Sequence, residues 1–408
     1  MIPLGVEELR GLGRLDASAD EVTGVQVDSR RIAAGDLFVA VGRGADFVED
    51  ALARGAAATL VPDDAFDALG RIGRAVRDRS SARVVGITGS TGKTSTKDIL
   101  AALCRVAGAR TVAAEASYNN EIGVPLTLCR LEPDTEVCIL ELAMRGFGQI
   151  AALCEISRPH IGVITNVGPV HLELVGDLDG VVRAKSELVA ALPSDGTVIV
   201  PEDFAVERGD VRILRLGEPE VERGGARTIV DGVSFNFVAR HQARNAAAAL
   251  AVLDALGLPR PARVDVEFSR WRGDESPLAG DGLLINDAYN ANPVSMRAAL
   301  AYLVERSDGR RTVAILGDMA ELGRTAPSYH REVGAAAAEL GVDELLAVGE
   351  LARGYLDAGV EGRWVPNVHE AVRELGEVVR PGDAVLVKAS RAVGLEAVAA
   401  ALTELTIA

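Results

Sequence analysis

The segment Thr88-Gly89-Ser90-Thr91-Gly92-Lys93-Thr94-Ser95 has the residue types and spacing to hold phosphates. It follows the apolar run Val84-Val85-Gly86-Ile87 and opens a helical pattern that reaches Cys104. Glycines let successive backbone N–H groups turn inward around an anion, and the helix N-terminus adds partial positive charge. Lys93 has the length to reach β- and γ-phosphates, and the Thr94 hydroxyl can ligand Mg²⁺. The strict eight-residue pattern places glycine where Ile87 stands, so this is a shortened variant. By itself the loop says that the chain binds ATP or GTP, and an ATPase regulator that moves domains fits it as well as an enzyme does.

Other polar residues stand at or just past the ends of apolar runs. Glu141 closes Val137-Cys138-Ile139-Leu140, and His171 follows Ile161 to Asn166. Lys185, in Arg183-Ala184-Lys185-Ser186-Glu187-Leu188, reads from its neighbours as a surface lysine on an amphipathic helix. Nothing in the chain resembles a nucleophile elbow.

These residues need elements to position them. The first eighty residues read as a small α/β unit, with Gly24–Arg30 a strand running into a turn, further strands at Asp36–Val41 and Ala58–Pro62, and a helix-like stretch from Ala51 to Ala58. The Arg-rich stretch from Arg71 to Arg83 reads as a polar helix and joint. From Arg83 on, short buried strands (84–88, 137–141, 161–166 and 197–200) alternate with helical patterns, the mark of a mostly parallel sheet covered on both faces. The Ala-rich helix 243–256 ends at Gly257, before Pro259 and Pro261, a helix stop and second boundary. Strands at 283–287, 313–318, 345–349 and 384–388 repeat the α/β theme, and open α/β sheets bind ligands beyond the carboxyl ends of their strands.

The 408 residues suggest several domains, and 48% hydrophobic with 25% charged residues is a globular mixture. Aromatics are only 4%, so Ala, Val, Leu and Ile must fill the core. The net charge of −16 argues against nucleic acid as a partner, while a few convergent basic groups can still hold an anionic small molecule. Met1 to Glu8 lacks a basic and an apolar signal region, no run is long enough to span a membrane, and Cys104, Cys129, Cys138 and Cys154 lack CxxC spacing. A cytoplasmic protein with reduced core cysteines is expected.

Gly89-Ser90-Thr91-Gly92-Lys93-Thr94-Ser95 resembles the central-domain loop of the Mur ligases, relatives of folylpolyglutamate synthetase that join a carboxylate to an amine through an acyl phosphate. The resemblance covers essentially the whole chain. It implies an α/β fold of three domains: a small N-terminal domain for the uridine nucleotide (1–80), a central ATP-binding P-loop domain with a mostly parallel sheet (81–257) and a C-terminal Rossmann-like ligase domain (258–408). It further implies Thr94, Glu141, His171 and a carbamylated Lys185 as Mg²⁺ ligands, with Lys93, Glu141, His171 and Lys185 catalytic. ATP contacts carried over are Gly89, Ser90, Thr91, Gly92, Lys93, Thr94, Ser95, Asn245, Arg272, Asp287 and Asn290. Substrate contacts carried over are Ser29, Asn119, Asn120, Lys388, Ser390 and Arg391.

Two segments point within the family to the branch that adds D-alanyl-D-alanine to UDP-N-acetylmuramoyl-tripeptide. They are Asp287-Ala288-Tyr289-Asn290-Ala291-Asn292-Pro293-Val294-Ser295-Met296 and Gly317-Asp318-Met319-Ala320-Glu321-Leu322-Gly323. The Asp-Asn-Pro-Arg motif of the diaminopimelate-adding relative is absent from the sequence. A monomer with ATP and Mg²⁺ as cofactors, taking part in peptidoglycan precursor synthesis, is what this implies. Another Mur-type amino-acid ligase, of folylpolyglutamate or cyanophycin type, is the same-fold alternative. The chain departs from the family at three places: the loop Val41 to Phe47 is shortened, His241-Gln242 replaces a His-Asn pair, and the usual Gly-Arg element reads in reverse as Arg272-Gly273.

Overall fold

Runs of Val, Ile and Leu that are buried along their length form the central strands of the two six-stranded sheets, as expected where both faces are covered. The structure, a computed structural model, describes residues 1–225 and 227–407. The chain divides into two compact units. The first comprises Met1–Asn166, Arg183–Val238 and Gln242–Glu267. The second comprises Val167–Val182, Ala239–His241 and Phe268–Ala408.

The first unit holds a six-stranded sheet whose order is Arg212–Leu216, Thr197–Pro201, Ile161–Ile164, Arg83–Thr88, Val137–Glu141, Thr111–Ala113. Every neighbouring pair is parallel. The register sets Ile87 beside Glu141 and Thr88 beside Ile164, so the phosphate loop and Glu141 leave the same edge of the sheet. A four-stranded sheet (Gly13–Ala17, Ala58–Pro62, Asp36–Val39, Gly24–Gln26) forms the N-terminal part. Another small sheet joins Val221–Gly224, Arg227–Val230, Val233–Phe235 and Arg263–Val264.

Two local expectations change. The helix expected from Ala51 begins earlier, at Val48–Ala53. The expected polar joint is the amphipathic helix Ala65–Asp78, which buries Leu69, Ile72, Val76 and the stem of Arg77. Its Gly73 lies so close to Pro125 that an added Cβ would stand 2.8 Å from the Pro125 Cα. The Arg77 guanidinium donates to the Ser157 and Ser80 carbonyls, each at 2.9 Å, so an arginine that reads as surface charge closes loop ends.

The second unit is built on another six-stranded sheet: Asp274–Leu278, Gly282–Asn286, Ala384–Lys388, Thr312–Gly317, Glu344–Val348, Gly362–Val365. Only its first pair is antiparallel. Two buried clusters of Ala, Val, Leu and Ile cover its faces. Gly257, φ 73°, follows the helix Arg240–Ala255 as the sequence predicts. No helix among the described residues is long and apolar enough to cross a membrane.

All four cysteines are free and buried, and burial pushes each thiol up to about 12. The thiolate is the reactive form. A thiol reagent at pH 8 is therefore expected to label none of them in the native chain and all of them in denaturant; rapid labelling of the native chain would contradict this burial.

Candidate functional site

In the first unit the strand Arg83–Thr88 runs into the loop and the helix Lys93–Val106, the order that the sequence predicts. Gly89 has φ 150°, and a Cβ there would meet Thr165 Oγ1 at 1.8 Å. Gly92 has φ 78°, and a Cβ there would meet Asn245 Oδ1 at 2.4 Å. Only glycine serves both turns. Thr165 and Asn166, just past the end of a neighbouring strand, hold the loop. The Thr91 N–H donates to Asn166 Oδ1 at 2.9 Å, the Ser90 N–H to the Asn166 carbonyl at 3.1 Å, and Thr165 Oγ1 to the Thr91 carbonyl at 2.5 Å. The first turn of the helix has N–H groups without helical partners, a ready anion site. The Lys93 ammonium lies back across the loop on the Gly89 carbonyl at 2.7 Å.

Glu141 is 1% exposed. Thr94 Oγ1 donates to its Oε2 at 2.8 Å and Asn119 Nδ2 to its Oε1 at 2.9 Å. A buried carboxylate held by neutral donors is costly unless a cation joins it. The hydroxyl and carboxylate are hard oxygen donors suited to Mg²⁺, which binds through one or two carboxylates together with phosphates. Among the described residues no cluster of three or more His, Cys, Asp or Glu gathers. Lys185 is 2% exposed. Burial, and then the positive charge of Lys93, holds its ammonium well below the ordinary lysine range. A neutral amine is the form that captures CO₂.

Asn245 Nδ2 donates to Gln242 Oε1 at 2.9 Å, so Gln242, which stands where the family has asparagine, holds the Asn245 side chain whose Oδ1 lies against Gly92. Asn120 Oδ1 accepts from the Gly123 N–H at 3.0 Å and opens the helix Gly123–Leu128. Ser29 is buried, and its hydroxyl on Asp50 holds that carboxyl below its ordinary range. Arg31, beside it, donates to Glu115 at 3.2 Å and to the Tyr118 hydroxyl at 3.3 Å, near Asn119.

In the second unit the C-terminal motifs come together in polar contacts. Lys388, 2% exposed, donates to Asp287 Oδ2 at 2.5 Å and to the Asn290 carbonyl at 2.9 Å. Its ammonium thus clamps the turn that carries the expected ribose contact. Ser390 Oγ accepts from the Ala320 N–H at 2.8 Å and lies 3.4 Å from the Ala291 carbonyl, tying two loops together. Asn292 caps the helix Pro293–Arg306 through the Ser295 N–H at 2.9 Å. Arg272 lies over the Tyr289 ring at 3.8 Å, and Arg391 over the Trp271 ring at 4.5 Å. His171 belongs to this unit, where its Nδ1 faces Glu321 Oε2. Both residues are in the left-handed region, φ 54° and 63°. The sequence groups His171 with Thr94, Glu141 and Lys185; its hydrogen-bond partner here is Glu321.

Thr165, Asn166, Gln242 and Glu321 were not singled out for these contacts in the sequence. For Asn166 the available signal was its place at a strand end facing the loop.

Residues 87–217 match the Mur ligase middle domain, and residues 275–391 match the Mur ligase glutamate ligase domain. The UDP-N-acetylmuramoyl-tripeptide--D-alanyl-D-alanine ligase of Synechocystis is 35% identical, with 93% of this chain and 92% of that one covered. The Escherichia coli enzyme of the same name is 31% identical, with 99% of each covered. Among solved structures, MurF from Acinetobacter baumannii superposes with a TM-score of 0.86 at 28% identity, over 98% of this chain and 99% of that one. MurF from Thermotoga maritima in complex with ADP gives a TM-score of 0.78 at 25% identity, over 94% and 97%.

Lys388 joins Asp287 almost out of water, and removing one partner strands the other. Lys388→Met is expected to lower stability by about 2–3 kcal/mol, the reduction reflecting partial exposure of Asp287. An unchanged urea midpoint would remove the clamp.

Proposed function

The chain belongs to the Mur ligase family, and we propose that it is an ATP-dependent ligase adding D-alanyl-D-alanine to UDP-N-acetylmuramoyl-tripeptide. What carries the reading is near-full-length similarity to relatives of that name. Supporting it, the phosphate loop meets a buried acid, Glu141, through Thr94.

A carboxylate is a poor electrophile, and transfer of the γ-phosphoryl group gives it a leaving group. Thr94 and Glu141 would hold Mg²⁺, which neutralises charge on the transferring phosphoryl group. Lys93 moves from the Gly89 carbonyl onto the phosphates and stabilises the same charge. Lys185, as the neutral amine, takes up CO₂, releases a proton and becomes a carbamate, replacing a potential cation with an anion. The substrate amine attacks the acyl phosphate, and the tetrahedral intermediate expels inorganic phosphate. Ser29, Asn119, Ser390 and Arg391 are proposed substrate contacts, and Asn245, Arg272, Asp287 and Asn290 nucleotide contacts. His171 is proposed as a further ligand that exchanges Glu321 for the metal. Free, buried thiols suit the cytoplasm.

The test is product analysis with ATP, Mg²⁺, the UDP-muramoyl tripeptide and D-alanyl-D-alanine. One amide, one ADP and one phosphate per turnover are expected. Equal ligation of glutamate would favour a polyglutamate-type relative, and ATP hydrolysis indifferent to acyl and amine substrates would favour a regulator.

Lys93→Ala is expected to lower kcat about 100–1000-fold with the fold intact, the usual scale for one lost transition-state donor. Near-normal turnover in the folded variant would take the loop out of the mechanism. Lys185→Ala is expected to be nearly inactive and partly rescued by short carboxylic acids, which occupy the space of the carbamate. Absence of a ¹³C carbamate signal from active enzyme in labelled bicarbonate would defeat the carbamate.

A further inference from the structure

Trp271 has φ 62°, a left-handed conformation that an L residue with a Cβ adopts under strain. Asp274 Oδ2 holds its N–H at 2.6 Å. Glycine would take this conformation without strain, yet the residue present is one of only two tryptophans in the chain. Its ring lies 4.5 Å from the Arg391 guanidinium, within the range of a cation–π contact. Glu396 Oε1 takes Arg391 Nη1 at 2.6 Å. Arg391 is therefore held on its face by the indole and at one edge by a carboxylate, although its side chain is 51% exposed. An arginine with that exposure ordinarily samples many rotamers. A planar fork held in one plane is the form that meets a carboxylate in two parallel hydrogen bonds.

We propose that Trp271 is a positioning residue that orients Arg391 toward a carboxylate of the peptide substrates. The inference rests on the reading of Arg391 as a substrate contact. The carboxylate belongs to the incoming dipeptide or to the muramoyl peptide, and separate KM values tell the two apart. The next residue, Arg272, stacks on Tyr289 at 3.8 Å, so one turn braces the motif around Asp287 as well as the motif around Arg391. The backbone strain at Trp271 follows from this double duty: the left-handed step sends successive side chains to two different motifs.

Steady-state kinetics on Trp271→Gly, Trp271→Phe, Arg391→Ala and the double variant Trp271→Gly/Arg391→Ala test it, with thermal melts run alongside. Arg391→Ala is expected to raise KM for one peptide substrate about tenfold or more, the pattern of a lost binding contact. Trp271→Gly is expected to raise KM for that same substrate about three- to tenfold, with a smaller change in KM for ATP. Trp271→Phe keeps an aromatic face and should retain most of the wild-type KM. In the double variant the effects should not multiply, because Trp271 acts through Arg391. Multiplying effects, a Trp271→Gly change confined to the melting temperature, or an equal rise in KM for ATP would overturn the positioning role. If Arg391→Ala leaves every KM and kcat unchanged, the reading of Arg391 fails and the inference fails with it. That failure is distinguishable because Arg391→Ala is then itself silent.

Discussion

A carboxylate shut away from water with a hydroxyl and an amide as partners is the constraint around which the first unit is arranged. Glu141 ends a strand that is buried on both faces, so its side chain has no route to solvent. Thr94 and Asn119 supply the two hydrogen bonds, and neither supplies charge. For Thr94 to reach it, the helix Lys93–Val106 must begin where it does, which fixes the length of the loop before it. The loop in turn needs glycine at 89 and 92 because Thr165 and Asn245 press against it. Lys185 poses the complementary problem, a buried basic group beside another positive charge. Each is a group whose burial needs a partner, and the proposed phosphate, cation and carbamate would supply one. A buried lysine whose ammonium form is disfavoured, as at Lys185, is a mark of functional sites.

In the second unit, Lys388, His330 and Tyr355 meet the cost of burial in the opposite way, each through hydrogen bonds within the unit. Lys388 is satisfied by Asp287 and a carbonyl. His330, fully buried, donates from Nδ1 to the Ala326 carbonyl at 2.7 Å and accepts from the Met319 N–H at 3.0 Å. Burial lowers its pKa, in keeping with the neutral ring that this pairing requires. Tyr355 beside it donates to the Gly317 carbonyl at 2.9 Å. The turn Gly317 to Gly323 is thus riveted from below, and Glu321 is presented from a rigid base.

What the sequence discloses follows from how local each signal is. The phosphate loop is legible from eight consecutive residues because strand, turn and helix start are all neighbours in the chain. Lys185 is not: its own helix reads as a surface helix, and its burial depends on elements far away in sequence. The resemblance supplied a role for it that periodicity could not. The helix Ala65–Asp78 reads as more polar than it is because its arginines look solvated, whereas long basic side chains can bury their stems and spend their donors on carbonyls. The contacts of Gln242 and His330 are not legible for a related reason. Each acts on a backbone or side chain reached through tertiary contact, and nothing within a few residues of them announces it.

The scarcity of aromatics acquires a structural meaning from the same contrast. The sheets are packed by aliphatic side chains, and small ones let helices approach closely, as Gly73 does at Pro125. Aromatic rings are then conspicuous where charged loops need a flat partner. Arg183 lies over Phe147, Arg272 over Tyr289, Arg353 over Trp364 and Arg391 over Trp271. Both tryptophans serve in this way. A ring orients a guanidinium without neutralising it, unlike a carboxylate, which lowers the local positive potential. In a chain of net charge −16, Trp271 braces the face of Arg391 while Glu396 takes one edge, so the guanidinium is oriented without a second carboxylate.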